Sequence, residues 1–176
     1  YIEKKKLEVA TERQEELDSL NEMYCNVQQD IDTAMHFDRR LFEKTREDED
    51  FLHIYLGQGT IASSRPIDYK KQERLEVGDE LTEMPEKIYQ LFEHIDGAPI
   101  CSDMKDSNAI GIVGTKEALY GMFKNIVIDI AVRHYYGDVR LYMLVDDEKR
   151  YQWARFLPHL MNAGGIRNIV FDNESK

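Results

Sequence analysis

The order of segments after residue 108 limits the folds open to this chain more than any other feature. Residues 109–113 (Ala, Ile, Gly, Ile, Val) form an apolar run that reads as a buried strand. Residues 116–134 continue as a helix that is apolar around most of its circumference, through Leu119, Met122, Phe123, Ile126, Val127, Ile130 and Ala131. Residues 139–145 read as a second strand. Residues 148–157 read as a second helix, checked by Pro158, and residues 166–171 as a third strand after Gly164 and Gly165. Strand, helix, strand, helix, strand is the pattern of a parallel sheet with crossover helices.

The first 45 residues differ. They contain no Gly or Pro and are rich in Glu, Lys, Arg and Gln. Leu17, Leu20, Tyr24, Val27, Ile31 and Ala34 recur at alternating spacings of three and four, which draws one stripe along a helix. The spacing predicts a helical arm, bent near Asn26, that packs on the domain behind it or pairs in a coiled coil. Between arm and sheet, residues 51–56 alternate as a strand punctuated by Gly57 and Gly59. Further extended stretches are expected at residues 61–67, broken by Pro66, and at residues 73–77. A helix is expected from Pro85, with Ile88, Leu91, Phe92 and Ile95 on its buried face and Gly97 and Pro99 as its stop. Residues 99–103 come next as a short strand.

With 176 residues, 42% of them hydrophobic, the chain can bury a core, and the composition is not that of a disordered segment. Its formal net charge of −11 repels phosphate backbones and anionic leaflets, so nucleic acid is not an expected partner. Basic protein surfaces remain compatible. Cys25 and Cys101 are far apart and fit no zinc spacing, which reads as two free thiols in a reducing compartment. The chain opens on Tyr1, without a signal peptide or an apolar run long enough to span a bilayer, and is read as a segment of a larger protein.

Chemistry is expected at the turn after residues 109–113. A phosphate-binding turn there has the form GxxxxGK[ST]: backbone N–H groups wrap the phosphates, Lys reaches the outer ones and the hydroxyl holds magnesium. Here Gly114 supplies the first glycine, but the next three defining positions are Leu119, Tyr120 and Gly121. Thr115 reads as an N-cap, and Glu117 puts a carboxylate where an anion would bind. Two readings are open. One is a capped helix with no ligand. The other is a weak residual nucleotide site built from Gly114, Thr115 and Lys116. Asp146, Asp147 and Glu148 end the second strand on the edge where ligands bind in such sheets, and serve either as magnesium ligands or as helix caps. His134 and His159 lack partners at metal spacing and are read as surface or turn residues. No catalytic or metal-binding residue is assigned.

The same residues carry a family resemblance. Val113, Gly114 and Thr115 lead into a long apolar helix ending in Arg133 and His134. Residues 137–146 come next, and then Arg155, Phe156, Leu157, Pro158 and His159. This order resembles the FtsK/SpoIIIE translocase fold, in which a strand ending in AGTTGSGKS precedes a helix, a strand ending in IDxK and an LPH turn. Leu41, Phe42, Glu43, Asp48, residues 50–52 and 56–59, and then Ala98, Pro99, Ile100 and residues 111–114 and 167–170 resemble type VII secretion ATPases of the EssC/EccC family. The similarity runs from about residue 40 to residue 176.

The resemblance implies an α/β fold: an incomplete P-loop-like sheet with crossover helices, preceded by an N-terminal helical stalk. Residues 1–47 would be the stalk, and residues 48–176 a degenerate ATPase-like domain truncated at its C-terminal end. It implies a non-hydrolysing coupling domain that links a membrane anchor to motor modules. The place would be the cytoplasmic side of the cell membrane, with membrane contact through a preceding segment. Expected partners are the other modules of the same ATPase and the membrane components of the secretion machine, with small helical secreted proteins as cargo of the whole protein. No cofactor is expected in the segment, although ATP with magnesium is the ligand of the alternative, regulatory reading. A DNA-translocase reading rests on fold analogy alone and is opposed by the charge.

Overall fold

The computed structural model describes residues 2–68, 80–107 and 109–172; the strand expected at residues 73–77 lies outside the described residues. The elements are α1 (Ile2–Met23), α2 (Val27–His36), β1 (His53–Ala62), α3 (Glu80–Phe92), β2 (His94–Asp103), α4 (Lys116–Arg133), β3 (Met143–Val145), α5 (Glu148–Tyr151) and β4 (Ile169–Phe171). Two 3-10 turns, Gln152–Phe156 and Pro158–Leu160, connect α5 to β4. Helices and small sheets mix as an α/β fold with helices at the N-terminus. The chain divides into two compact units, Tyr1–Asn26 with Tyr55–Cys101, and Val27–Ile54 with Ser102–Lys176.

In the first unit α1 packs against α3. Of the expected stripe, Leu17, Leu20 and Tyr24 are half-buried here, while Val27, Ile31 and Ala34 belong to α2 in the second unit. The most buried side chains of α1 are charged, however: Arg13 and Glu16, each 6% exposed. Arg13 donates from Nε to the Phe92 carbonyl and from Nη2 to the Arg65 carbonyl, both at 2.7 Å. Glu16 accepts from Ser63 Oγ at 2.6 Å, and from the N–H and Oγ of Ser64 at 2.7 and 2.6 Å. The two side chains lie 3.6 Å apart. Burial pushes the Glu16 carboxyl up, but the Ser63 and Ser64 bonds and the Arg13 charge outweigh it and hold it below the ordinary value. Polar groups buried in this way are tolerated because each has partners.

β1 and β2 pair as a two-stranded sheet. The strand expected at residues 51–56 begins at His53 and runs on through Gly57 and Gly59 to Ala62, so the stretch after residue 62 is not strand. α3 starts at Glu80, ahead of the expected Pro85, which lies inside the helix and removes one backbone donor there. Ile95 belongs to β2, not to the helix, and is buried at 4% exposure. Gly97 sits in β2 with φ 71°, a left-handed conformation that suits glycine.

In the second unit β3 and β4 pair in parallel, with Met143 opposite Ile169, Leu144 opposite Val170 and Val145 opposite Phe171. Met143 and Val145 join Ala154 and Leu160 in the core, against which Phe123 of α4 and Tyr151, Trp153, Leu157, Ile169 and Phe171 pack. Leu144 and Val170 point the other way and are exposed. The expected second helix is α-helical for one turn only. It then tightens to i+3 bonding, with Leu157 N–H on the Ala154 carbonyl and Met161 N–H on that of Pro158. Residues 109–113 make no strand pairing among the described residues, and Val113 is 99% exposed.

Residues 24–26 interrupt the arm and separate its two helices. α2 packs against α4, and the connector after it caps the C-terminal end of α4. Phe42 N–H reaches the Val132 carbonyl at 2.8 Å and Lys44 N–H reaches that of Arg133 at 2.9 Å. These are helix-end acceptors that would otherwise lack an intrahelical donor.

The buried Glu16 node makes a stability prediction. Glu16→Ala leaves the Arg13 charge and the Ser63 and Ser64 donors without their acceptor, and is expected to cost about 3 kcal/mol in urea denaturation. Glu15→Ala, on the exposed face of the same helix, is expected to stay within about 0.5 kcal/mol.

Candidate functional site

The turn into α4 and the end of β3 enclose a cleft of about 380 Å³, lined by Ile112, Lys116, Leu119, Tyr120, Phe123, Leu144, Val145, Asp146, Arg150 and Tyr151. Thr115 is the N-cap of α4, with φ −69° and ψ 155°, and its Oγ1 accepts from Ala118 N–H at 3.4 Å. Gly114 has no left-handed φ, and a Cβ added there meets nothing nearer than 3.8 Å. No close approach at this turn therefore calls for glycine, in contrast to a phosphate-wrapping loop. Lys116 turns across the cleft to Asp146, 3.4 Å away, with both side chains largely in solvent. Of the three residues expected at a nucleotide site, Lys116 lines the cleft, while Gly114 and Thr115 are not among its lining residues and Thr115 serves as the helix cap.

The residues at the second and third defining positions explain the cleft's character. Leu119 lines its wall. Tyr120 stands at the position that a GxxxxGK[ST] pattern begun at Gly114 would give to its lysine. Its hydroxyl donates to the Arg150 carbonyl at 3.0 Å, and the Arg150 guanidinium stacks 4.8 Å from its ring centroid. Arg150 also faces Glu117 at 3.8 Å. Tyr151 closes the aromatic set, edge-on to Tyr120 at 5.3 Å and to Phe123 at 5.6 Å. Burial and then the Asp146 carboxylate push the Tyr151 hydroxyl above its ordinary range. Asp147 is the N-cap of α5, accepting from Lys149 and Arg150 N–H at 3.0 and 3.2 Å. The acidic run at the strand end thus divides, with Asp146 in the cleft and Asp147 in a cap. Arg150 and Tyr151 were not among the expected site residues, although an adjacent pair one turn beyond an acidic strand end was visible in the sequence.

The far end of α4 holds a second polar cluster. Arg133 is 3% exposed, pairs with Glu43, and has Asp30 at 4.0 Å. Asp30 is 1% exposed, and no described group donates a hydrogen bond to its carboxylate. Burial raises it to about 6, more than Arg133 and Arg40 lower it. His134 and His159 are expected at the surface or in a turn: His159 does lie in the Pro158–Leu160 turn and His134 closes α4, but neither is at the surface, being buried at 1% (His134) and 0% (His159) exposure. Each is enclosed because it completes a backbone bond. His134 Nε2 accepts from Leu52 N–H at 3.0 Å, which puts the proton of the neutral ring on Nδ1. His159 Nε2 meets the His134 carbonyl at 2.8 Å and so carries its own proton. Burial, reinforced by the charges of Arg133, His159 and Lys44, brings His134 down to about 4. Phe51 stacks edge-on against His134 at 5.2 Å.

Among the described residues no group of His, Cys, Asp and Glu could hold a metal ion, and no helix is long and apolar enough to cross a membrane. Cys25 and Cys101 are not joined in a disulfide.

These shifts predict a pH dependence. Asp30 titrates near 6 in the folded chain against 3.8 ordinarily, so its contribution to stability falls as pH rises through that window. His134 titrates near 4 against 6.5, so its contribution, about 3 kcal/mol, falls as pH drops from 6.5 to 4. The two slopes oppose each other. In thermal melts, Asp30→Asn is expected to steepen the loss of stability between pH 6.5 and pH 4, and His134→Asn to flatten it.

No family model matches the chain. Over 179 residues it is 27% identical to the type VII secretion system protein EssC of Staphylococcus aureus strain MSSA476, and equally to that of strain NCTC 8325 / PS 47. Over 178 residues it is 27% identical to the ESX secretion system protein EccC of Geobacillus thermodenitrificans strain NG80-2. The first two matches take in 100% of this chain and the third 99%, but the chain spans only 12% of the length of each relative. From end to end, the chain is related to one segment of the EssC/EccC type VII secretion proteins.

Proposed function

We propose that this chain is a non-hydrolysing coupling domain of a type VII secretion protein, joining a membrane-anchored stalk to motor modules on the cytoplasmic side of the membrane. Residues 1–47 are the stalk in this reading and residues 48–176 the degenerate ATPase-like domain. The observation that carries the proposal is the position of α4. Its first turns line the cleft through Lys116, Leu119 and Tyr120, and its last turn is gripped by α2 and the connector through Arg133 and His134. A helix of 18 residues spans about 27 Å, so a shift at one end is felt at the other.

Hydrolysis is a poor fit to this cleft. Tyr120 stands where a phosphate-binding lysine is needed, and Arg150 is engaged by Tyr120 and Glu117. The partners in this reading are the remaining modules of the same protein and the membrane components of the secretion machinery, in keeping with the EssC and EccC relatives. Small helical secreted proteins would be cargo of the whole protein.

One observation favours a second reading, a regulatory site for ATP with magnesium built from Gly114, Thr115 and Lys116. Lys116 and Asp146 face each other across the cleft at the end of a parallel strand, the usual ligand position in such sheets.

Two measurements separate the readings. In the whole secretion protein, deleting this segment is expected to abolish secretion while the ATPase activity of the motor modules persists; unimpaired secretion would sink the coupling role. Calorimetric titration of the chain with ATP and magnesium is expected to give no heat under the coupling reading. Binding heat that disappears in Lys116→Ala would replace that reading with the regulatory one.

A further inference from the structure

Residues 109–113 pose a physical problem. Ala109, Ile110, Gly111, Ile112 and Val113 have the composition of a buried strand, yet they pair with nothing described, and Val113 stands 99% exposed. Nearby, β3 has an edge with which no described strand pairs. Met143 N–H bonds the Asn168 carbonyl, and the Val145 carbonyl accepts from Asp172 N–H, each at 2.8 Å. Residues 143 and 145 therefore direct their backbone groups to β4, and Leu144 between them turns its N–H and C=O to the opposite edge. Two parallel strands whose outer edges carry no further described strand make a marginal sheet.

Chain topology says which strand belongs there. Phe123 of α4 and Tyr151 and Trp153 of the β3–β4 crossover all pack on the face of the sheet that carries Met143 and Val145. Right-handed crossovers put two successive helices on one face only if the strands advance in one direction, first to β3 and then to β4. A strand preceding α4 must then lie on the side of β3 away from β4, where no described strand pairs. The connection of residues 114–142 is long enough for a parallel crossover. Ile112 already lines the same cleft as Leu144 and Val145, so the cleft is the gap that separates the segment from that edge.

We infer that residues 109–113 are a conditional strand that adds in parallel to the free edge of β3, closing the cleft and drawing the N-terminus of α4 with it. Gly111 keeps the pairing marginal. Glycine weakens a strand interior, and here no atom lies within 4 Å of an added Cβ, so a side chain fits without a clash in the open arrangement. The pairing is a property of the chain itself and stands or falls independently of any role in secretion.

Residue-resolved amide hydrogen exchange tests the inference in the wild type, Gly111→Val and Ile112→Pro. The Leu144 amide reports pairing at the free edge, and the Met143 amide, bonded to β4, reports that the sheet is intact. Gly111→Val is expected to slow Leu144 exchange about fivefold relative to the wild type by raising strand propensity. Ile112→Pro, which cannot pair, is expected to exchange Leu144 fastest, with Met143 protected throughout. Equal Leu144 exchange in wild type and Gly111→Val, with Met143 protected in both, overturns the conditional strand. Should Ile112→Pro also unprotect Met143, the comparison of wild type with Gly111→Val decides alone.

Discussion

A guanidinium buried at the C-terminal end of α4 sets the terms for the second unit. Arg133 is placed where the helix dipole favours a cation, but its burial requires counter-charges. Glu43 and Asp30 supply them, the first from the connector and the second from α2. That requirement holds α2 against α4 and fixes the path of the connector. The backbone conforms closely: Phe42 and Leu52 adopt left-handed φ values of 59° and 64°, which are costly for bulky residues. Each is held by a bond to the end of α4, Phe42 through the Val132 carbonyl and Leu52 through the His134 ring. His159 then fastens the turn before β4 to the same point through the His134 carbonyl.

The other end of α4 departs from the residue types that a phosphate-binding turn uses. A phosphate-binding turn needs exposed backbone donors, a free cation and glycine at close approaches. Here Thr115 occupies the helix-end donor, Tyr120 stands where the pattern would put the cation, and Gly114 meets no close neighbour. The space is partly filled by Tyr120, Tyr151 and Phe123, which pack edge to face with Arg150 over the Tyr120 ring. The result is an aromatic cleft with one ion pair across it and a helix leading away to the buried arginine.

Much of this architecture was legible where local chemistry decides it. The run from Leu119 to Ala131 marked α4, Thr115 marked its cap, and the break near Asn26 marked the join of α1 and α2. The parallel relation of β3 and β4 could be inferred from the crossover between them. Features that depend on distant partners were not legible. Arg13, Glu16, Asp30 and Arg133 look like surface charges in any short window, and their burial is set by carbonyls, hydroxyls and counter-charges far along the chain. The burial of His134 and His159 is hidden for the same reason. At the candidate site, the departures from the phosphate-loop pattern could be read directly. The aromatic packing found there could not, because Arg150 and Tyr151 reach Tyr120 from 30 or so residues away. Residues 109–113 show the limit of pattern reading: apolar periodicity reports capacity to form a strand, and whether the strand forms depends on the edge available to it.

The central claim is that α4 links its two ends energetically. A double-mutant cycle between Lys116→Ala, at the cleft, and Glu43→Gln, at the Arg133 cluster, measures that link directly by denaturant unfolding. Residues this far apart with no shared partner ordinarily add to within about 0.5 kcal/mol. The account predicts a coupling energy clearly above that bound, about 1 kcal/mol. Strict additivity of the two substitutions would contradict it and leave α4 as a scaffold whose ends act independently.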